Sequence, residues 1–76
     1  NYATNVQDEV NALSTAATEY GNDPTNTAKC QAWKDAYQNY LNALEDNVEC
    51  ATVNGQEAEL QSAINQAQAA LDGIQC

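Results

Sequence analysis

The sequence predicts an all-α domain in which three antiparallel helices form an up-down-up bundle. Apolar residues recur every three or four positions in three separate runs, which is the spacing of one helix face. No segment alternates between apolar and polar residues, so no strand is expected. The linkers between the runs are short, so neighbouring helices are expected to be antiparallel within a single domain of 76 residues. The expected helices cover residues 4–20, 25–51 and 55–72.

The first helix is indicated by a run of apolar residues that shares one face. Thr4 followed three residues later by Gln7 suits a helix start, and Gly21 suits a left-handed cap at the end. The run itself consists of Ala3, Val6, Val10, Leu13, Ala17 and Tyr20.

The second helix follows a break in the chain at Pro24, which cannot continue the first helix. Asp23 or Thr25 is expected to cap it, because both side chains can accept a hydrogen bond from a free backbone N–H. Its apolar run consists of Cys30, Trp33, Tyr37, Leu41, Leu44, Val48 and Ala51.

The third helix is expected to start near Asn54, which stands three residues before Glu57 as in a capping box. Gly73 is expected to end it, with Ile74 folding back onto its last turn. Its apolar run consists of Leu60, Ile64, Ala67 and Leu71.

The three cysteines indicate a disulfide-bonded protein outside the cell. Cys30 and Cys50 stand near opposite ends of the second helix, about 30 Å apart if that helix is continuous. A disulfide needs Cα atoms within roughly 7 Å, so these two cannot pair. Cys76 follows the third helix, which returns beside the start of the second. We therefore predict a Cys30–Cys76 disulfide that closes a loop of about 46 residues and stabilises the fold by about 3–4 kcal/mol.

Cys50 is then left over at the other end of the molecule. One interpretation is an intermolecular disulfide to a second copy or to another chain. The alternatives are a half-buried free thiol, or a thiol whose partner belonged to a removed segment. The first residue is Asn1 rather than methionine, so a longer precursor is expected. A zinc site is not expected, because three cysteines split between two ends, without histidine, cannot form a tetrahedral shell.

The charge of the chain excludes several classes of partner. Eleven acidic residues against two lysines give a net charge of −9. Nucleic acid and anionic membrane surfaces are therefore not expected as partners, since both need a basic surface. No stretch approaches the roughly 18 apolar residues of a membrane span, so membrane insertion is not expected either.

Most of the acids are expected at one end of the bundle, with both lysines at the other. Glu45, Asp46 and Glu49 are the candidate ligands for a cation such as calcium. The spacing of a calcium-binding loop is absent, so a solvated acidic end is the preferred interpretation. The seven acids of this end are Asp8, Glu9, Glu45, Asp46, Glu49, Glu57 and Glu59.

Trp33, Tyr37 and Tyr40 lie along one side of the second helix. At this spacing they are expected mainly in the core and in the seams between helices. If exposed, they would instead form a platform for a sugar ring or a protein partner.

Catalysis is not expected, and neither is a cofactor. Without histidine there is no Ser–His or Cys–His couple, and the chain has no base near Ser14 or Ser62. No glycine cluster can hold a phosphate, and there is no arginine to clamp one. The residues therefore indicate a protein that is not an enzyme.

The segment from Asp23 to Ala51 begins D-P-T-N-T-A-K-C-Q-A-W-K-D-A-Y-Q-N-Y-L-N-A-L, and a second cysteine follows Glu49. It resembles small cysteine-bearing helical domains of secreted or lipid-anchored surface proteins of Gram-negative bacteria, which share a C-x-A-[YW]-x-x-A core. The resemblance implies an extracellular, bacterial, non-catalytic protein, and it assigns a function to no individual residue.

Together these features predict a non-enzymatic structural or interaction module, extracellular or at the cell surface, whose expected partner is a protein, either a second copy of the chain or a different one. Cys50 and a helix face are the expected contacts. The alternative is a small protein that binds a cation at the acidic end or a glycan at the aromatic row.

Overall fold

Five helices and no strand make up the chain, which confirms the all-α prediction. The structure is a computed structural model that describes residues 1–76. The helices are α1 (Tyr2–Asn5), α2 (Gln7–Asn22), α3 (Thr27–Asp46), α4 (Val48–Val53) and α5 (Glu57–Gly73). Where the sequence predicted three helices, the first two are each divided. The expected 4–20 helix is interrupted at Val6, and the expected 25–51 helix at Asn47.

The interruption at Val6 changes the backbone geometry at a single residue. Val6 has φ −103° and ψ 10°, outside helical values. Hydrogen bonds nevertheless continue across it, because Val6 N–H donates to the Tyr2 carbonyl at 3.1 Å and Val10 N–H donates to the Val6 carbonyl at 3.0 Å. Helices α1 and α2 therefore follow one another without a loop.

The interruption at Asn47 has the same backbone angles and a visible cause in its hydrogen bonds. Asn47 N–H donates to the carbonyl of Leu44, three residues back, at 3.0 Å. That leaves the Ala43 carbonyl without its usual helical partner. The Asn47 side chain fills this role, because its Nδ2 donates to the Ala43 carbonyl at 2.7 Å. Asparagine thus stabilises a tightened turn that a purely apolar residue would leave with a free carbonyl.

The helix starts differ from the caps that the sequence suggested. Asn1 caps α1, since its Oδ1 accepts from Ala3 N–H at 2.9 Å. Asn26 caps α3 by accepting from Lys29 N–H at 3.1 Å, so the cap is neither Asp23 nor Thr25. Asn26 Nδ2 in turn donates to Asp23 Oδ2 at 3.1 Å, so Asp23 holds the capping side chain in place without capping the helix itself.

A glycine in the left-handed conformation ends α4. Gly55 has φ +72°, and it is the only residue of the chain with positive φ. Gln56 N–H donates to the Ala51 carbonyl and Gly55 N–H to the Thr52 carbonyl, which is the bonding of a Schellman motif. The expected left-handed cap at Gly21 was wrong, because α2 continues through it to Asn22.

The core runs through α1, α3, α4 and α5. Leu44 and Ala51 have no exposed surface, and Leu60 is only 1% exposed. Tyr2 and Val6 cover this core at its N-terminal end. The apolar face of the first helix therefore begins at Tyr2, one residue before the predicted start at Ala3, which is exposed. The other members of the core cluster are Leu41, Ala67 and Leu71.

Helix α2 contributes no residue to this core. It packs on α3, which on another side packs on α5. Its apolar residues Leu13, Ala17 and Tyr20 are half-buried, and Val10 is 37% exposed. Helix α2 is therefore held mainly from one side. No helix in the structure combines the length and the apolar character that crossing a membrane requires.

Candidate functional site

The predicted disulfide between Cys30 and Cys76 is confirmed, with the two Cα atoms 5.9 Å apart. It ties the chain end to the first turn of α3, 46 residues earlier. Cys30 is 4% exposed, and Ile74 beside the bridge is 8% exposed. Ile74 N–H donates to the Leu71 carbonyl at 3.1 Å, so the backbone turns back at the end of α5.

Cys50 makes no disulfide and is half-buried in α4. Two side-chain amides donate towards its Sγ: Asn54 Nδ2 at 3.5 Å and Asn5 Nδ2 at 3.9 Å. Asn54 Nδ2 also donates to the Cys50 carbonyl at 2.9 Å. Asn54 therefore belongs to the surroundings of the thiol, and it does not cap α5 as the sequence suggested; the cap position of α5 is Gln56.

The surroundings of Cys50 connect to the interruption in the neighbouring helix. Asn5 Nδ2, which approaches the sulfur, also donates to Asn47 Oδ1 at 2.9 Å. One asparagine of α1 thus contacts both the residue that separates α3 from α4 and the free cysteine.

Tyr2 is buried beside this region, at 7% exposure. Its hydroxyl donates to Glu59 Oε1 at 2.9 Å, which joins α1 to the first turn of α5. Burial raises the pKa of the Tyr2 phenol above its ordinary value of 10.0, and the hydrogen bond to Glu59 together with the negative charges of Glu59 and Tyr40 raises it further.

The aromatic residues form a continuous row that includes one member the sequence did not identify. Tyr20 of α2 stacks on Trp33, with ring centres 5.2 Å apart and planes at 18°. Trp33 meets Tyr37 at 6.1 Å and 59°. All of these rings, and Tyr40 one turn further on, are half-buried. Because Tyr20 covers one face of Trp33, that face is closed to a sugar ring.

Two hollows lie along this row between α2 and α5, and they share Tyr37. The first, with a volume of about 410 Å³, is bounded by Val10 and Tyr40 and reaches Ala63 of α5. The second has a volume of about 410 Å³ and lies beside Trp33. We call the two together the α2–α5 groove. No charged side chain lines either hollow.

The acidic residues do not gather into a metal site. Among His, Cys, Asp and Glu, no group of three or more could hold a metal ion. Glu45 and Asp46 lie at the end of α3, and Glu49 lies in the first turn of α4; all three are exposed.

Three features of the site lay outside the sequence prediction: Tyr20 as a partner of Trp33, the asparagines around Cys50, and Tyr2 in the core. For Tyr20 a signal was present, because it ends the apolar run of the first helix and an antiparallel neighbour would bring it near the start of α3. The asparagine contacts carry no such signal, since Asn5 and Cys50 are far apart in the chain.

Comparison of the chain with protein-family models, with curated proteins and with solved structures found no match.

Proposed function

We propose that this chain is a non-enzymatic protein-interaction module that acts outside the cell and assembles through Cys50. The observation that carries the proposal is the state of the three cysteines. Cys30 and Cys76 are bonded to each other, whereas Cys50 is unpaired and half-exposed. A leftover thiol in a disulfide-bonded chain is available for a bond to a second chain.

The location outside the cell is supported by the disulfide, because such bonds persist mainly in oxidising compartments. The composition supports a non-catalytic role, since the chain has neither histidine nor arginine.

We propose further that the five helices act as three rods in an up-down-up bundle, formed by α1 with α2, by α3 with α4, and by α5. Hydrogen bonds that continue across Val6 support the first rod, and those around Asn47 support the second. The Cys30–Cys76 bridge supports an antiparallel pairing of α3 with α5. Cys30 lies in the first turn of α3, and Cys76 lies three residues after the end of α5.

In this arrangement Cys50 lies at the end of the molecule away from the disulfide. An intermolecular bond there would join two copies, or a copy and a different chain, end to end. Cys50 is only half-buried beside the two amides that approach its Sγ, so we expect a second thiol to reach it.

Electrophoresis of native material, with free thiols blocked before lysis, tests the proposal. We expect a larger species without reductant that collapses to the single chain with reductant. Cys50→Ser is the matched variant and should give the single chain in both conditions, while keeping the Cys30–Cys76 bridge. A single-chain band for the unaltered protein with and without reductant would contradict the role of Cys50.

A further inference from the structure

We propose that the α2–α5 groove binds a basic amphipathic helix of a partner protein. This inference rests on the proposed interaction function and names the class of partner. It uses a surface separate from Cys50, because the groove follows the Trp33, Tyr37 and Tyr40 side of α3, whereas Cys50 lies in α4.

The first argument is the unequal burial of the helices. Helix α2 has no buried residue, although Val10, Leu13, Ala17 and Tyr20 repeat at helical spacing along one face. Val10 is 37% exposed. A helix that lies against one neighbour alone, with an apolar flank left open, can bury that flank against a further helix.

The second argument is geometric. The walls of the groove are two helices, α2 and α5, and its floor is a third, α3. The space over such a floor is the position that a fourth helix occupies in a four-helix bundle. The chain has no strand whose edge could accept an extended peptide, so insertion of a helix is the recognition mode that this surface suits.

The spacing of the hollows agrees with helical anchors. The floor runs from Trp33 to Tyr40, seven residues or about 10.5 Å along α3. A helical ligand presents anchor side chains at i, i+3 or i+4, and i+7, which cover the same length. Each hollow, with about 410 Å³, has room for apolar anchors on either side of Tyr37.

The third argument is charge. The lining is uncharged, but the chain carries eleven acids against two lysines. Glu9 adjoins Val10 in α2, and Glu59 lies one helical turn before Ala63 in α5. A net charge of −9 attracts a basic helix and opposes non-covalent binding of a second copy in the groove, whereas a disulfide at Cys50 is covalent and does not depend on charge attraction. We therefore assign the groove to a basic partner and not to self-association.

The experiment titrates the Cys50→Ser protein, which cannot form the intermolecular disulfide, with three peptides that lack aromatic residues. The probe is an 18-residue helix with leucines at i, i+3, i+4 and i+7 and lysines on its other face. One control carries glutamates in place of the lysines, and the other has the leucine and lysine order scrambled. Trp33 is the only tryptophan of the chain and lines the groove, so its fluorescence reports occupancy directly.

We expect a saturable change in Trp33 emission with the lysine peptide alone, at an affinity that falls as salt rises. Val10→Asn, in the groove wall, should weaken binding by about tenfold, because burial of the exposed part of a valine side chain raises affinity by about that factor. The matched control is Val53→Asn, which should leave binding unchanged, since Val53 is 85% exposed and lies outside the groove. Circular dichroism checks that both variants remain helical.

Chemical-shift mapping of the Cys50→Ser protein gives a readout that needs no groove variant: the lysine peptide should shift residues of α2 and α5 around Tyr37. Three results would overturn the proposal: no saturable response to the lysine peptide, equal binding of the scrambled peptide, or self-association of Cys50→Ser that Val10→Asn abolishes. Because Cys50 is absent from this experiment, its outcome is independent of the electrophoretic test of the proposed function.

Discussion

Asn5 and Asn47 are joined by a hydrogen bond of 2.9 Å between Nδ2 of the first and Oδ1 of the second, 42 residues apart in the chain. Asn47 separates α3 from α4, and Asn5 immediately precedes Val6, which separates α1 from α2. The two helix interruptions are therefore linked to each other by a single side-chain contact. Asn47 at the same time donates to the Ala43 carbonyl at 2.7 Å.

Replacing Asn47 by alanine removes both hydrogen bonds. We expect Asn47→Ala to be less stable than Asn39→Ala by about 1–3 kcal/mol, because each of the two lost bonds contributes about 0.5–1.5 kcal/mol. Asn39→Ala is the comparison variant, since Asn39 is exposed in the preceding helix α3 and its replacement also removes an asparagine side chain. Urea denaturation of both variants measures the difference. Equal midpoints would show that the Asn47 contacts do not stabilise the fold.

Reduction of the Cys30–Cys76 bridge should lower the free energy of unfolding by about 3–4 kcal/mol, because the bridge limits the freedom of the unfolded chain across 46 residues. The measurement is chemical denaturation of Cys50→Ser with and without reductant. A variant that also carries Cys30→Ser and Cys76→Ser should be insensitive to reductant and as stable as the reduced protein. An unchanged midpoint on reduction would contradict the expected contribution.

Stability should fall at alkaline pH through Tyr2. Its pKa is raised in the folded protein, so the unfolded chain loses the phenolic proton first as pH rises above about 10.0. The stabilising contribution is fully present below that pH and is lost as pH rises through the folded pKa. Thermal unfolding of Cys50→Ser across pH 8–11 should show this loss, and Tyr2→Phe should show a smaller one. The same pH dependence in both would exclude Tyr2 as its source.

Backbone amides of α2 should exchange with solvent faster than those of α3. Helix α2 has no buried residue, whereas α3 contains Cys30, Ala36, Leu41 and Leu44. Local opening of α2 therefore exposes less buried apolar surface than opening of α3 and needs less free energy. Native-state hydrogen exchange by NMR measures both helices in one sample. Protection in α2 that equals protection in α3 would mean that the two open together.

The helix boundaries show which features the apolar spacing and the capping residues predict correctly. The apolar spacing predicted helical segments near their observed places, and α5 differs from the expected 55–72 by two residues at its start. The N-cap residues were predicted less well, because several residues near the start of each helix have side chains that can accept a hydrogen bond from a free backbone N–H. Asn26 caps α3 although Asp23 and Thr25 were equally suitable from the sequence.

Periodicity determined the all-α class and the rise of the α-helix excluded a Cys30–Cys50 pair, because both depend on geometry within a helix. The choice of Cys76 also used the short linkers, which make neighbouring helices antiparallel. The tertiary structure alone decided that helices are interrupted at Val6 and Asn47, that Tyr20 stacks on Trp33, and that α2 has no buried residue. The stacking of Tyr20 on Trp33 and the burial of α2 depend on contacts between residues that are distant in the chain, as does the Asn5–Asn47 hydrogen bond that links the two interruptions. The spacing of residues along the chain does not predict which of many asparagines will meet.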